Sequence, residues 1–120
     1  MVALATTTAR GAPRVAPVVS VVFDGRFYIP TSLSSARALH AATRPEISLT
    51  HYVDVDVDVA IIAHGMAVLV GAGHPDFDAL NARYQAAWFQ QLCARDDGVY
   101  LRVDARTLVT YARDPAAFPA

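Results

Sequence analysis

The sequence predicts a mainly β protein, in which six to seven mostly antiparallel strands close on themselves, with one short and one long helix. Three observations predict this fold class. Runs of Val, Ile and aromatic residues have the length of strands. Turn signals rich in Gly, Pro and Asp separate those runs by only a few residues, which favours antiparallel pairing of consecutive strands. Only two segments show the apolar spacing of a helix.

The first quarter of the chain predicts strands joined by tight turns. Val2–Thr8 forms the first strand. Arg14–Phe23 is rich in valine and long enough for one full strand, and Pro17 inside it indicates a sheet edge or a bulge because proline cannot donate a ladder hydrogen bond. Asp24-Gly25 marks a tight hairpin turn. Arg26–Thr31 then pairs back as the next strand.

A serine-rich segment opens the short helix. Ser34 or Ser35 caps a helix over Ala36–Ala42, since a serine hydroxyl accepts from the free amides of a first helical turn. Pro45 prevents the helix from extending further. The alternating pattern of Glu46–Val53 predicts the strand that follows.

The next strand, Val53–Val70, is longer and β-branched, and Gly65 within it indicates a bend or a bulge. Three aspartates alternate with valines near its start, so they share one face of the sheet. They are Asp54, Asp56 and Asp58. The pattern resembles the opening of an EF-hand calcium loop, but that loop needs Gly at its sixth position and Glu at its twelfth, and neither is present. A solvated strand or hairpin is the favoured interpretation.

One long helix begins at Pro75-Asp76 and ends before Asp96-Asp97-Gly98. Its apolar residues recur at spacings of three and four, which predicts one apolar stripe. The stripe consists of Phe77, Leu80, Tyr84, Ala87, Trp88 and Leu92. Val99–Asp104 and Thr107–Tyr111 follow as the last two strands.

Composition excludes several functions. Residues 1–120 have the length of one domain, with 54% apolar and 18% charged residues. The net charge of −1 and the lack of a basic stripe argue against a nucleic-acid partner. A single cysteine, Cys93, allows no internal disulfide, which fits the cytoplasm, and we find no secretory signal and no apolar run long enough for a membrane span. The four histidines match no zinc spacing, so we predict no metal site.

The segment from Thr31 to Arg37 is the strongest candidate binding site. Hydroxyl groups, the free amides of a helix start and one guanidinium group together form an anion site. The alternative is a capped helix with serines that face solvent. The chain contains no lysine, and Arg37 is the only basic residue that this segment offers as a cation.

Two stretches carry a resemblance to a known family. The first is Leu4–Leu49, LATTTARGAPRVAPVVSVVFDGRFYIPTSLSSARALHAATRPEISL, and the second is His64–Val70, HGMAVLV. Their order and spacing resemble the pyridoxamine 5′-phosphate oxidase-like superfamily of FMN-binding split barrels. The resemblance implies a split β-barrel that works as a homodimer, with FMN or the deazaflavin F420 held between the subunits.

The resemblance also implies which residues contact the cofactor. The phosphate would be held by Thr31, Ser32, Ser34, Ser35 and Arg37. The strand beside the flavin ring and ribityl chain would contribute Arg14, Val15, Pro17 and Val18. At the two positions where the family usually has a pair of basic residues, this chain has Ser34 and Ser35, so Arg37 is the only cation nearby. Trp88 would cover the ring from the partner subunit, and the alternative is that it belongs to the core or to the dimer interface.

The function implied is that of an FMN- or F420-dependent oxidoreductase acting on a small-molecule substrate. In such an enzyme the cofactor carries out the hydride chemistry, so the lack of a recognisable catalytic dyad is expected. The C-terminal segment differs from the Arg- and His-bearing tail of pyridoxamine oxidases proper, and we do not expect oxidation of pyridoxamine phosphate. Two alternatives stay open: a non-catalytic module of the same fold that binds flavin or haem, and a structural barrel that only dimerises.

Overall fold

The computed structural model of the protein describes residues 1–54 and 59–112. Within these residues the chain forms seven strands and three helices. In chain order the elements are β1 (Val2–Thr7), β2 (Pro13–Val18), β3 (Val21–Phe23), β4 (Arg26–Ser32), α1 (Ala36–Thr43), β5 (Glu46–Asp54), β6 (Val59–Val70), α2 (Phe77–Arg83), α3 (Ala87–Ala94) and β7 (Gly98–Ala112). The mainly β class is therefore confirmed.

All strand pairs are antiparallel, and the strands form one sheet in the order β2-β1-β5-β6-β7-β4-β3. The two edge strands, β2 and β3, follow one another in the chain and are joined by only Val19 and Ser20. That link spans at most about 11 Å. In a flat seven-stranded sheet the edges would lie about 29 Å apart. The sheet must therefore curl into a half-barrel, as predicted.

The prediction of one strand over Arg14–Phe23 is wrong. The segment forms two strands, because β2 pairs with β1 while β3 pairs with β4 at the opposite edge of the sheet. Pro17 lies in an edge strand, as its missing N–H group requires. The hairpin turn is confirmed: Asp24 and Gly25 have φ angles of 51° and 74°, which is the geometry of a type I′ turn.

The bend at Gly65 is also confirmed, and it explains a second difference. The two last predicted strands are one strand, β7, whose register against β6 shifts at this point. His64 lies opposite Thr107 and Gly65 lies opposite Ala105, so Arg106 is an additional residue on β7. A Cβ atom at residue 65 would collide with the backbone carbonyl oxygen of Asp104, which is why glycine occupies this position.

The predicted long helix is wrong as well, because α2 and α3 are separated by three residues. Tyr84 and Ala86 have extended backbone angles, and the Gln85 side chain donates to the carbonyl of Ala82 at the end of α2. The break changes the helical register. It places Phe89 in the core, fully buried, and leaves Trp88 45% exposed. A continuous helix with the predicted stripe would bury Trp88 instead.

The two faces of the sheet bury two separate cores. The inner core, on the concave face under α1, is aliphatic. It comprises Val2, Leu4, Val18, Ile29, Ala41, Ile47, Leu49, Ala63, Leu101 and Val103. The outer core, on the opposite face under α2 and α3, is mostly aromatic. It comprises Tyr28, Val70, Phe77, Leu80, Phe89 and Tyr100. Sequence neighbours such as Tyr28 and Ile29 serve different cores because side chains alternate along a strand.

Two further findings bear on the predictions. Of the three alternating aspartates, Asp54 ends β5, while Asp56 and Asp58 lie outside the described residues. None of the helices in the described ranges is long and apolar enough to cross a bilayer.

Candidate functional site

The loop between β4 and α1 forms the start of the candidate site, and the predicted capping is confirmed. Ser35 is the N-cap of α1, and its Oγ accepts from the backbone N–H of Ala38 at 3.2 Å. The buried hydroxyl of Thr31 donates to the Ser35 Oγ at 3.0 Å. One guanidinium nitrogen of Arg37 donates to the Thr31 Oγ1 at 3.1 Å. The structure therefore brings Thr31, Ser35 and Arg37 together.

The other two serines of the loop face a carboxylate. Ser32 Oγ donates to Asp97 Oδ2 at 2.5 Å, and the backbone N–H of Ser34 donates to Asp97 Oδ1 at 3.3 Å. The Ser32 hydrogen bond, with the further donors of Ser34, lowers the pKa of Asp97 below its usual value. A carboxylate of this chain thus occupies the donors of Ser32 and Ser34, and the predicted anion site divides into two halves.

The half that contains Arg37 opens into a cavity of about 420 Å³ between β1, β2 and α1, which we call the arginine pocket. It is lined by Leu4, Thr6, Thr8, Arg14, Val15, Ala16, Ala36, Arg37 and His40. Two arginine side chains, from β2 and from α1, thus border one cavity. The guanidinium group of Arg14 also donates to the carbonyl of Pro13 at 2.9 Å. Within residues 1–54 and 59–112, no carboxylate forms a salt bridge with either arginine.

The β2 strand contributes residues from both of its faces to the pocket. Arg14 lies opposite Thr6, and Val18 lies opposite Val2, so both point to the inner face. Arg14 reaches the pocket, whereas Val18 is buried in the inner core. Val15 and Pro17 alternate with them, and Val15 borders the pocket while being 72% exposed.

The remaining predicted residue, Trp88, lies on the other face of the sheet. It belongs to α3, and its Nε1 donates to the Tyr84 Oη at 3.2 Å. The centroids of the Trp88 and Phe89 rings are 5.6 Å apart in an edge-on arrangement. Among the described residues it does not line the arginine pocket. A contact between Trp88 and a ligand in that pocket would require a second copy of the chain.

Sequence comparison identifies the family. The family model of pyridoxamine 5′-phosphate oxidase matches residues 1–112. The chain belongs to the pyridoxamine 5′-phosphate oxidase family. The resemblance inferred from Leu4–Leu49 and His64–Val70 is thereby confirmed. No curated protein matches the chain.

Solved structures of the family's fold share the architecture at low sequence identity. An FMN-binding protein from Nostoc punctiforme PCC 73102, related to pyridoxamine 5′-phosphate oxidase, has a TM-score of 0.69 and 15% identity, over 95% of this chain and 86% of that one. An F420 reductase has a TM-score of 0.69 and 17% identity, over 90% of this chain and 87% of that one. The heme storage protein HutZ from Vibrio cholerae has a TM-score of 0.69 and 14% identity, over 92% of this chain and 84% of that one. These similarities establish the fold.

The arginine pocket of this family member has the donor set that a phosphate needs. Two guanidinium groups supply charge-assisted hydrogen bonds, and the Thr6 and Thr8 hydroxyls add neutral ones. Apolar side chains of Leu4, Val15 and Ala16 provide the rest of the lining. A cavity of this size lies within the range of small-molecule sites. The residues therefore fit a phosphorylated organic ligand.

Sequence reasoning missed the three other polar residues of the pocket, which are Thr6, Thr8 and His40. The sequence carries a signal for two of them. Thr6 continues the inward alternation of Val2 and Leu4, so a polar side chain was due to face the inner side of the sheet. His40 follows Arg37 by three residues in a helix and so lies on the same side of α1.

The other titratable side chains of residues 1–54 and 59–112 have partners or surroundings of an ordinary structural kind. Each histidine has a hydrogen bond through its Nδ1 atom: His40 to Thr6, His51 to the carbonyl of Met1, His64 to Ser48, and His74 to the amide of Asp76. In the described part of the chain no three His, Cys, Asp or Glu side chains gather as metal ligands would. Burial raises the pKa of the Cys93 thiol, which disfavours the reactive thiolate.

A second cavity of about 420 Å³ lies between β1, β5, β6 and β7. It contains the pair formed by Ser48 Oγ and His64 Nδ1 at 2.6 Å, together with Arg106 from the β7 bulge. None of the predicted cofactor-binding residues lines it. Its histidine offers a useful comparison with His40, since both rings bond a hydroxyl through Nδ1.

Proposed function

We propose that the protein binds FMN or F420 in the arginine pocket and acts as an oxidoreductase on a small-molecule substrate. One observation carries the proposal: Arg14 and Arg37 come from two different elements and border the same cavity. A flavin phosphate monoester carries close to two negative charges near neutral pH. Two arginines and the hydroxyls beside them can balance that charge.

The side chains around the pocket prepare one arginine for this role. Arg37 is held by its hydrogen bond to Thr31, and Thr31 is in turn bonded to the N-cap Ser35. This network fixes the guanidinium group before a ligand arrives, so less side-chain entropy is lost on binding. When bound, the flavin or deazaflavin supplies the hydride chemistry. The residues of this chain hold its phosphate and orient it against β2.

The similarity to an FMN-binding protein and to an F420 reductase supports a cofactor of the flavin type. Similarity to the heme storage protein HutZ keeps a haem-binding role as the alternative. We place the active protein in the cytoplasm, because its only cysteine is unpaired.

A homodimer is part of the proposal, with the cofactor between the two subunits. Val15 borders the pocket with 72% of its surface exposed, and Trp88 is exposed on the opposite side of the sheet. A second copy could cover Val15 and bring Trp88 of the partner subunit to the ligand. Sedimentation velocity at micromolar concentration, with FMN and without it, should show a dimer. A monomer under both conditions would contradict this part of the proposal.

Titration with FMN, F420, riboflavin and haem tests the function. Binding is followed by flavin or deazaflavin fluorescence and by the haem absorption band. The proposal predicts that FMN or F420 binds at micromolar concentration or tighter and that riboflavin, which has no phosphate, binds more weakly. Binding of haem alone would favour the alternative, and binding of none of the four would reject a cofactor role for this pocket.

A further inference from the structure

His40 is the third nitrogen-bearing side chain of the arginine pocket. It lies one helical turn after Arg37 on α1, and Arg14 on β2 borders the same cavity. Its Nδ1 atom is 3.2 Å from the Oγ1 atom of Thr6, a side chain only 6% exposed. Within the described ranges the Nε2 atom has no hydrogen-bond partner, so it is the ring nitrogen available to a ligand.

Thr6 can hold this ring in either protonation state. A hydroxyl group is both a donor and an acceptor. It donates to Nδ1 when that atom carries no proton, and it accepts from Nδ1 when the ring is charged. The orientation of His40 is therefore independent of its charge.

The other groups that face His40 are cationic or neutral. Arg37 comes from the same helix and Arg14 from β2, while β1 contributes the hydroxyls of Thr6 and Thr8. No Asp or Glu is among the described residues that line this cavity. With His40 charged, the pocket presents three positive groups. A phosphate monoester has three free oxygens and up to two negative charges, whereas a diester has two free oxygens and one negative charge. Three positive groups therefore suit a monoester better than a diester.

We propose that His40 is a third donor to the ligand phosphate and that the pocket selects phosphate monoesters over phosphate diesters. This inference rests on the proposed function and deepens it, since it favours FMN over a cofactor whose phosphate is esterified twice.

The test compares FMN with its methyl phosphate ester, which has the same ring and ribityl chain but a diester phosphate. Dissociation constants are measured for the wild type and for His40→Gln in the same buffer. The preference for FMN is the ratio of the two dissociation constants, and we expect His40→Gln to reduce it roughly tenfold, the size expected of one charge-assisted hydrogen bond.

Two further variants complete the experiment. His64→Gln is the matched control, because His64 also bonds a hydroxyl through Nδ1 but lies in the other cavity, and it should keep the wild-type preference. His40→Arg keeps a positively charged donor at this position and should retain the preference for FMN that His40→Gln loses. Circular dichroism shows whether each variant is folded.

The outcomes separate the inference from the proposed function. If FMN binds to the wild type and His40→Gln retains the full preference, the role of His40 is rejected while the cofactor site stands. If the wild type binds F420 but not FMN, the inference is rejected and the proposed function stands. If the wild type binds none of FMN, its methyl ester and F420, the proposed function is rejected, and the inference with it.

Discussion

The inner and outer cores lie on opposite faces of the same sheet and are filled by different kinds of side chain. The outer core contains packed rings, among them Phe89 and Tyr100 with ring centroids 4.8 Å apart and Phe77 and Tyr100 at 5.8 Å. The inner core contains only Val, Leu, Ile and Ala. Next to it, where β1 and β2 meet α1, the arginine pocket stays open.

This difference indicates a division of tasks between the faces. Large rings fill the space under α2 and α3 and bury much apolar surface for each residue. Small aliphatic side chains fill the inner core, and the arginine pocket at its edge leaves room for charged groups to contact a ligand. Substitutions in the outer core should therefore change stability, and substitutions in the arginine pocket should change binding.

The largest effect is expected in the outer core, from Phe89→Ala. Loss of this fully buried ring should lower the free energy of unfolding by about 3–5 kcal/mol. Urea denaturation measures the change. Trp88→Ala is the matched control, because Trp88 is 45% exposed and loses mainly aromatic pair contacts, which are worth about 0.5–1.5 kcal/mol each. Equal losses for the two variants would contradict the break between α2 and α3.

Arg37→Ala should show the opposite behaviour, with binding lost and stability kept. A charge-assisted contact of about 1.5–3 kcal/mol corresponds to a roughly ten- to hundredfold weaker affinity for FMN. Riboflavin should bind as it does to the wild type. Arg83→Ala, at the exposed end of α2, serves as the control and should leave FMN binding unchanged. FMN affinity equal to wild type in Arg37→Ala would place the phosphate elsewhere.

The bend of the sheet, which gives the inner face its curvature, can be tested with Gly65→Ala. The new methyl group would meet the backbone carbonyl of Asp104, and overpacking of this kind costs about 1–3 kcal/mol. Thermal or urea unfolding shows the loss. At Gly71 an added Cβ would have an ordinary contact of 4.0 Å with a Val99 methyl group, so Gly71→Ala should cost much less. Equal losses of stability in Gly65→Ala and Gly71→Ala would contradict the steric role of residue 65 in the bend.

The smallest effect is expected at Asp97, which joins the start of β7 to the loop before α1. The hydrogen bond from Ser32 lowers the pKa of this carboxyl, so its charged form is favoured in the folded protein. Asp97 therefore stabilises the fold above the ordinary aspartate pKa of about 4, and the contribution disappears as the pH falls through the folded value. The melting temperature of Asp97→Asn should lie below that of the wild type at pH 7, and the difference should shrink as the pH falls below the ordinary aspartate pKa of about 4. A difference that is constant with pH would contradict the role of the charge.

The features that the sequence predicts correctly depend on neighbouring residues. Asp24-Gly25 forms its turn because both backbone angles must be positive there, and Ser35 caps α1 because its hydroxyl reaches an amide three residues away. Gly65 bends β6 where a side chain cannot fit. Such preferences are local, so they are visible without knowledge of the rest of the fold.

The features that were predicted wrongly depend on distant partners. Nothing near Val19 and Ser20 shows that β2 and β3 pair at opposite edges of the sheet. Phe89, rather than Trp88, faces the core because its ring packs against the buried ring of Tyr100 on β7. The helical pattern alone describes a longer helix, and tertiary packing overrides it.

The candidate site shows the same limit. The donors within Thr31–Arg37 were predicted from one loop, but Asp97, which takes the donors of Ser32 and Ser34, is remote in sequence. Arg14 and His40 meet in one cavity only because β2 pairs with β1 beside α1. Their proximity is a property of the sheet and could not be predicted from either segment alone.

The position of β7 in the sheet has a consequence for the order in which the protein can fold. β7 follows the other six described strands in the chain, yet it lies between β6 and β4 and pairs with both along their length. Until β7 is in place, both of these strands expose an unpaired edge, which is a site of aggregation. Closure must also bring Ser32 next to Gly98, and such distant pairings slow folding. Insertion of β7 is thus the step that joins β4 to the rest of the sheet.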